Sequence, residues 1–336
     1  MAFRAKNEVK QMEELYAGVD IHKEKYVGCI VDKDGKVLLE KTFPPTKEGV
    51  QSFLCLPVKA VAIEACGMWR AAMHLFREYG CEVKLTSPKK THEIAAKKKT
   101  DKVDAKTLAD LLRTGYLPEV YIPSDEMLKL RDIARHKANV TRQKTQIKCK
   151  VKSHLLLQGI PYSKKIWNKP QIAKLRALDD LNLNNWLRLY DTLVVEEKEI
   201  LSRISRITRN QRLTQLLMTM PGIGEYSALL ILAEIADIKR FKTAKELVMY
   251  AGFCPGVFQT GNTERSVRNQ AVNKWLKWIV SECSGRAAIM QNRFQQHYAK
   301  IKQRKGFKVA RRSTARKMIT IIWHMLQNEE PYRHAS

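Results

Sequence analysis

Acidic residues are absent from two long stretches of this chain. None occurs between Asp132 and Asp179, where there are twelve lysines and arginines, and none between Glu282 and Glu329, where there are eleven. Ordinary solvated helices interleave both signs, so these stretches are not generic surface. Long hydrophobic runs are missing too. No segment is apolar over the roughly 20 residues that a membrane span needs, and the start lacks the pattern of a secretory signal. Cysteine pairs are also lacking. The seven cysteines, at positions 29, 55, 66, 81, 149, 254 and 283, are odd in number and form no Cys-x-x-Cys pair. That argues against a zinc site or a disulfide framework and fits a reduced cytosolic protein with mostly buried thiols. There is no internal repeat and no low-complexity tract.

What the chain has is positive charge. Lysine and arginine number 61 against 34 aspartates and glutamates, a formal net charge of +27 and a pI near 9.8. Such a balance implies a polyanionic partner, either nucleic acid or an anionic membrane surface. In the cytosol that means DNA or RNA, with at least one acid-free block touching phosphates. The 336 residues suggest about two domains.

Residues 1–14 read as a polar tail. Residues 15–122 read as one α/β domain, because strands come first and then alternate with helices. "LYAGVDIHKEKYVGCIVDKDGKVLLEKTF" is rich in β-branched and aromatic residues, and "KDGK" at 33–36 marks a hairpin turn. "VKAVAIEAC" (58–66) is a buried strand carrying Glu64, "MWRAAMHLFREYG" a helix stopped by Gly80, and "CEVKLTSP" a strand ended by Pro88. A helix from Asp101 then stops near Gly115. Residues 123–212 read as a helical linker. Within it lies a basic helix over 125–158 capped by Ser124, a mixed connector over 160–182, and a second helix over 186–208. Leu193, Ile200 and Ile207 repeat every seven residues, which suggests an antiparallel pair or coiled coil, although Glu197 interrupts the seam. Residues 213–330 read as a compact, mostly α-helical domain.

Four carboxylates stand out. Asp20 lies amid apolar neighbours in the first strand and Glu64 ends another. A carboxylate there is costly unless paired or metal-bound. Asp101 and Asp104 sit one helical turn apart and share a face. Converging, the four would suit Mg²⁺, with the surrounding Lys97, Lys98, Lys99 and Lys102 holding phosphates. The plainer alternative for Asp101 and Asp104 is helix capping and solvated charge. His22 and Lys23 adjoin Asp20, but a lone histidine at a strand end is more often structural, and both stay outside the ligand set.

Taken in order, "GVDIHKEKYVGCIVDKDGKVL", "AIEACGMW", "KTDKVDAKTLADLLRTG" and "MPGIGEYSALLILAEIADIKRFKTAKELVMYAGFCP" resemble the DEDD transposases of the insertion-sequence-110 family. The resemblance runs from about Tyr16 to Tyr332. It implies an RNase H-like (RuvC-like) domain in which Asp20, Glu64, Asp101 and Asp104 are the catalytic metal ligands for Mg²⁺, with Mn²⁺ as a substitute. It further implies a coiled-coil linker, a C-terminal transposase domain, and a homodimer or tetramer in the prokaryotic cytosol acting at the nucleoid. The partners it implies are DNA (element ends and target) and a structured guide RNA from the element.

The family also carries a serine nucleophile, followed by glycine, which forms a covalent phosphoserine link to DNA. This chain reads "AGFCPGVFQTGNTERSVRNQAVNKWLKWIV": Gly252, Pro255 and Gly261 match, but the serine position holds Thr260 and the following stretch is altered. Threonine offers the same hydroxyl with a methyl that restricts its rotamer. Three readings stay open: Thr260 is a variant nucleophile, the chain binds DNA but is impaired in cleavage, or Ser266 acts instead.

Further nucleic-acid contacts are expected from Arg142, Lys144, Lys148 and Lys152 on the basic helix and from Arg311 and Arg312 in the loop-and-helix segment 300–317. Gly222 and Gly224 of "PGIG" could present backbone N–H groups to a phosphate, as in a helix-hairpin-helix turn, or could simply make a tight turn. Trp275, Trp278 and Trp323 recur at helical spacing and read as core.

Overall fold

The computed structural model describes residues 14–94, 100–163, 165–254 and 272–333, together with the backbone strands 256–260 and 263–267. The tail over 1–13 and the lysines Lys97, Lys98 and Lys99 lie outside the described residues. The chain divides into two compact units between Ile122 and Pro123.

The first unit contains β1 (Leu15–Ile21), β2 (Tyr26–Val31), β3 (Val37–Phe43), α1 (Lys47–Phe53), β4 (Val58–Glu64), α2 (Trp69–Glu78), β5 (Glu82–Thr86), α3 (Pro88–Ile94), α4 (Asp101–Arg113) and β6 (Glu119–Val120). They build one sheet of order β3-β2-β1-β4-β5-β6. The first three strands form an antiparallel meander, β4 and β5 run parallel to β1, and β6 is antiparallel to β5. The "KDGK" stretch does turn the chain: Asp32 N–H donates to the Lys36 carbonyl at 3.1 Å and Gly35 has φ +86°. One sheet face, with Val19, Ile30 and Ile63, packs on Phe53 and Phe76 of α1 and α2. The other face, with Val27, Cys29 and Ala62, is covered by α4 through Ala105, Leu108 and Ala109. Pro88 ends the strand as expected but also opens α3, since its fixed φ and missing N–H suit a first helical turn.

The second unit contains α5 (Asp125–Leu157), α6 (Lys169–Arg176), α7 (Leu181–Arg209), α8 (Arg212–Met218), α9 (Glu225–Ile235), α10 (Ala244–Tyr250), β7 (Gly256–Thr260), β8 (Thr263–Val267), α11 (Lys274–Ala287) and α12 (Arg293–Asn328). Ser124 caps α5 by accepting from Met127 N–H at 3.3 Å. Helix α5 is about 50 Å long and packs along α7. The far end of the pair has its own core of Ile147, Val151, Leu155, Leu183 and Leu187, closed by Ile166 and Leu175 from the connector, so that segment folds around α6. At the near end Leu130, Ala134, Ile200 and Ile204 join the core of α9, α11 and α12. Glu197 interrupts the apolar seam for a reason: Lys144, Thr141 and Lys137 reach it across the pair. Helix α9 is buried on every side, as its unbroken apolar run requires. Helix α12 breaks at Gly306 (φ 77°, ψ 169°). The hairpin β7–β8 falls within 213–330, which the sequence pattern reads as mostly α-helical.

Candidate active site

The carboxylates are placed by the sheet register. Val19 of β1 pairs with Ile63 of β4, so the next residues, Asp20 and Glu64, come level at the carboxyl ends of adjacent parallel strands. Val19 and Ile63 enter the core on the α1–α2 side. Strand alternation therefore sends Asp20 and Glu64 to the face that α4 covers.

Helix α4 reaches that face because β1 has a glycine at its centre. A Cβ on Gly18 would lie 2.1 Å from the Ala105 carbonyl oxygen and 2.4 Å from Ala109 N. The helix backbone thus rests directly on the strand. The last turn of α4 is fixed at the β2–β3 turn, where Arg113 Nη1 donates to the Lys33 carbonyl at 3.0 Å. Its first turn lies at the β1–β2 turn, beside Asp20. Thr100 caps that turn, accepting from Val103 N–H at 3.3 Å.

The result is a cluster. His22 Nε2 lies 3.0 Å from Asp20 Oδ2 and 3.5 Å from Asp101 Oδ1. Lys25 Nζ donates to Asp101 Oδ2 at 2.8 Å. One ligand atom from each of Asp20, His22 and Asp101 lies within 4.8 Å of the others. The Lys25 hydrogen bond, reinforced by the Lys25 and His22 charges, holds the Asp101 carboxyl below the usual carboxylate range, and Lys25 is raised in return. Glu64 and Asp104 are half-buried and fall outside the 4.8 Å group.

The donor set fits a divalent cation. Carboxylate oxygens suit Mg²⁺ or Mn²⁺, while imidazole is a softer donor. Sequence reasoning left His22 out and did not single out Lys25. The signal for His22 was available: a residue two positions after Asp20 on an extended strand shares its side. Lys25 is brought back by the turn in which His22 N–H donates to the Lys25 carbonyl at 3.0 Å.

In the second unit, Thr260 ends β7, paired with Thr263 across the hairpin, and Ser266 of β8 pairs with Val257. Before α11, Asn273 N–H donates to the Tyr250 carbonyl at 2.8 Å, and its Oδ1 caps the helix through Leu276 N–H at 2.9 Å. Asn273 Nδ2 also donates to Glu234 Oε2 at 2.8 Å. Glu234 is fully buried on α9 and receives Arg135 through two bonds of 2.7 and 2.9 Å, with Arg131 at 3.6 Å. Nothing in the sequence pattern flags this network, because the two arginines of α5 and Glu234 of α9 lie about 100 residues apart.

The cationic residues divide. Lys102, Arg142 and Arg312 are exposed and Lys152 is half-buried. Lys144 is neutralised by Glu197, and Lys148 lies over the rings of Trp167 and Tyr190 at 5.4 and 5.5 Å. Arg311 is tied to Glu282 at 2.9 Å and to the Ser281 carbonyl at 3.1 Å. Packing accounts for Gly222: it has φ +87°, and a Cβ there would lie 2.5 Å from the Cys283 carbonyl of α11. Gly224 spends its N–H on Ser227 Oγ at 2.8 Å, and the Glu225 carboxylate stands beside it in the same turn. Trp323 is half-buried and donates to the Phe241 carbonyl at 3.0 Å, and Trp275 is half-buried beneath Arg135. Trp278 departs from the core expectation, with 40% of its surface exposed. No helix among the described residues is long and apolar enough to cross a membrane.

Comparison with known proteins covers both units. The DEDD transposase family of IS110 matches residues 17–159, which carry the acidic cluster. The transposase family IS116/IS110/IS902 matches residues 214–299, which carry the hairpin. The transposase for insertion sequence element IS1111A of Coxiella burnetii is 23% identical over 94% of this chain and 90% of its own length. A probable family 20 transposase of Pseudomonas aeruginosa is 24% identical over 94% and 98%. The pilin gene-inverting protein of Moraxella bovis is 25% identical over 74% and 75%. The chain belongs to the IS110 family of transposases.

Proposed function

We propose that this transposase is a DNA recombinase that cuts and rejoins strands with a divalent metal, Mg²⁺ or Mn²⁺, through a covalent link to a protein hydroxyl. One observation carries the reading: Asp20 and Glu64 come level on adjacent strands, and the docking of α4 on Gly18 brings Asp101 to Asp20. The mixed sheet, with its antiparallel meander followed by parallel strands, supports an RNase H-like, RuvC-like domain.

Asp20, Glu64, Asp101 and Asp104 hold the metal in this reading, with His22 as an added donor. A metal bound there would orient a phosphodiester and stabilise charge on its oxygens. Lys25 keeps Asp101 ionised and in place, and Lys102 offers a phosphate contact. Thr260 supplies the nucleophile: its oxygen bonds to phosphorus, the 3′ oxygen departs and takes up a proton, and a 5′-phosphothreonine link remains. The incoming 3′-hydroxyl reverses the step, so the phosphoester energy is conserved without water or a high-energy cofactor. A structured RNA transcribed beside the gene selects the DNA sites, and the working form is a homodimer or tetramer. The pilin gene-inverting relatives fit the same chemistry applied to inversion of a DNA segment.

The test is cleavage of DNA spanning the element junction in Mg²⁺. Asp20→Asn and Asp104→Ala are expected to abolish cleavage while DNA binding persists. Full cleavage by Asp104→Ala would overturn the metal-site assignment.

A further inference from the structure

Two cavities of about 740 and 940 Å³ open on either side of one side chain, Trp278 of α11. Trp278 and Glu282 line both, so the two form adjoining halves of one groove. Five of its cations are exposed: Arg142 and Arg286 in the first half, Lys274, Lys308 and Arg312 in the second; Lys137, Lys277 and Arg311, also in its walls, are half-buried. The carboxylate shared by both halves, Glu282, is already bonded to Arg311 at 2.9 Å.

An indole left 40% exposed among cations is wasted as core. It is, however, held in position. Trp275 packs against its edge, with centroids 6.1 Å apart and planes at 76°, and Trp275 is backed by Arg135 at 5.5 Å. A second exposed aromatic, Phe307, lies in the wall of the second half, immediately after the break at Gly306. Rigid aromatic faces flanked by cations are complementary to a strand whose bases stack and whose phosphates run alongside. A base-paired duplex hides its base faces, so the ligand is unpaired. Phe253 and Val272, also in that wall, flank the hairpin carrying Thr260 in sequence, so a strand in the groove leads toward the hairpin.

We infer that Trp278 is a stacking platform for an unpaired base of the DNA strand that this enzyme cuts. The inference rests on the recombinase reading for its choice of DNA over RNA. Stacking on one aromatic side chain changes affinity by about tenfold.

The test is fluorescence anisotropy of the full chain with labelled oligodeoxythymidylate, the same strand carrying abasic sites, oligouridylate and duplex element DNA. The wild-type protein is expected to bind the abasic strand about tenfold more weakly than the intact one. Trp278→Ala is expected to lose the same factor on the intact strand and nothing further on the abasic strand, while Trp278→Phe keeps most of the affinity. Thermal melts matching the wild type would show that both variants fold. Unchanged binding of the intact strand by Trp278→Ala would overturn the inference. So would an equal loss on both strands, or binding of oligouridylate in preference to the DNA strand. If those failures occur while duplex DNA is still bound and cut, the recombinase reading stands without the platform. Wild-type protein that binds no DNA of any kind would remove both.

Discussion

Replacing Glu234 with alanine is expected to destabilise the second unit by about 3 kcal/mol. The carboxylate is fully buried, and both oxygens are used: Oε1 by Arg135, Oε2 by Arg135 and Asn273. Arg131, with 12% of its side chain exposed, sits 3.6 Å away. Burial lowers the Arg131 pKa, and the Glu234 charge works against that. Removing one partner of a buried ion pair typically costs about 3–5 kcal/mol, because the other charge is left uncompensated. Arg135 is 33% exposed and can turn toward water, which places the cost near the lower end. For a unit of this size the loss corresponds to a fall in melting temperature of about 6–12 °C. Circular dichroism during thermal and urea unfolding measures it. The triple variant Arg131→Met, Arg135→Met, Glu234→Leu removes all three charges together and is expected to recover most of the stability. A fall below about 2 °C in Glu234→Ala would refute the reasoning. A triple variant as unstable as the single one would show that lost volume, not stranded charge, is the cause.

Three further outcomes follow from the geometry. Gly18→Ala is expected to displace α4 from β1, costing about 1–3 kcal/mol and abolishing metal-dependent cleavage, because the new Cβ would meet the Ala105 carbonyl at 2.1 Å; a melt and a nicking assay check both. Burial pushes the Glu197 carboxyl up, but the bonds from Lys144 and Thr141 outweigh it, and the folded pKa is lowered. Its stabilisation is therefore present above the unfolded value of about 4.3 and lost as pH falls through the lower folded value. Glu197→Gln is expected to melt below the wild type at neutral pH and to converge with it in acid, and parallel melting curves would contradict this. Arg312→Ala is expected to reduce the slope of log affinity against log salt by about one. Lys144→Ala should leave that slope unchanged and lower the melting temperature instead.

Much of the fold is readable from local chemistry. Strand alternation, the "KDGK" turn, the Ser124 cap and the seven-residue repeat each report a local preference that packing then uses. Asp20 and Glu64 stand out because carboxylates in apolar strands are unusual, whereas Asp101 and Asp104 at a helix start also suit plain capping and solvated charge. What local pattern does not carry is register. That Asp20 and Glu64 come level depends on how β1 and β4 pair, and His22 and Lys25 join the cluster through a turn with no glycine or proline to mark it. The lysines show a second limit of local pattern. Lys144 belongs to an acid-free block and reads as a phosphate contact, yet its partner Glu197 comes from the other helix of the pair. Trp278 shares the helical spacing of Trp275, but only the packing of α11 shows that its ring reaches the surface. The hairpin at Gly256–Val267 escaped because its turn sequence competes with strong helical signals on both sides.

The central claim is that a hydroxyl in that hairpin joins the protein to DNA. It is tested most directly by incubating the protein with Mg²⁺, junction DNA of its element and RNA transcribed from the flanking non-coding region. The products are then resolved on a denaturing gel and the attached residue is mapped by mass spectrometry. The account predicts a DNA-linked protein band attached at Thr260, retained in Thr260→Ser and lost in Thr260→Ala. Metal-dependent nicking with no adduct in any of the three proteins would contradict it and point to hydrolysis by water.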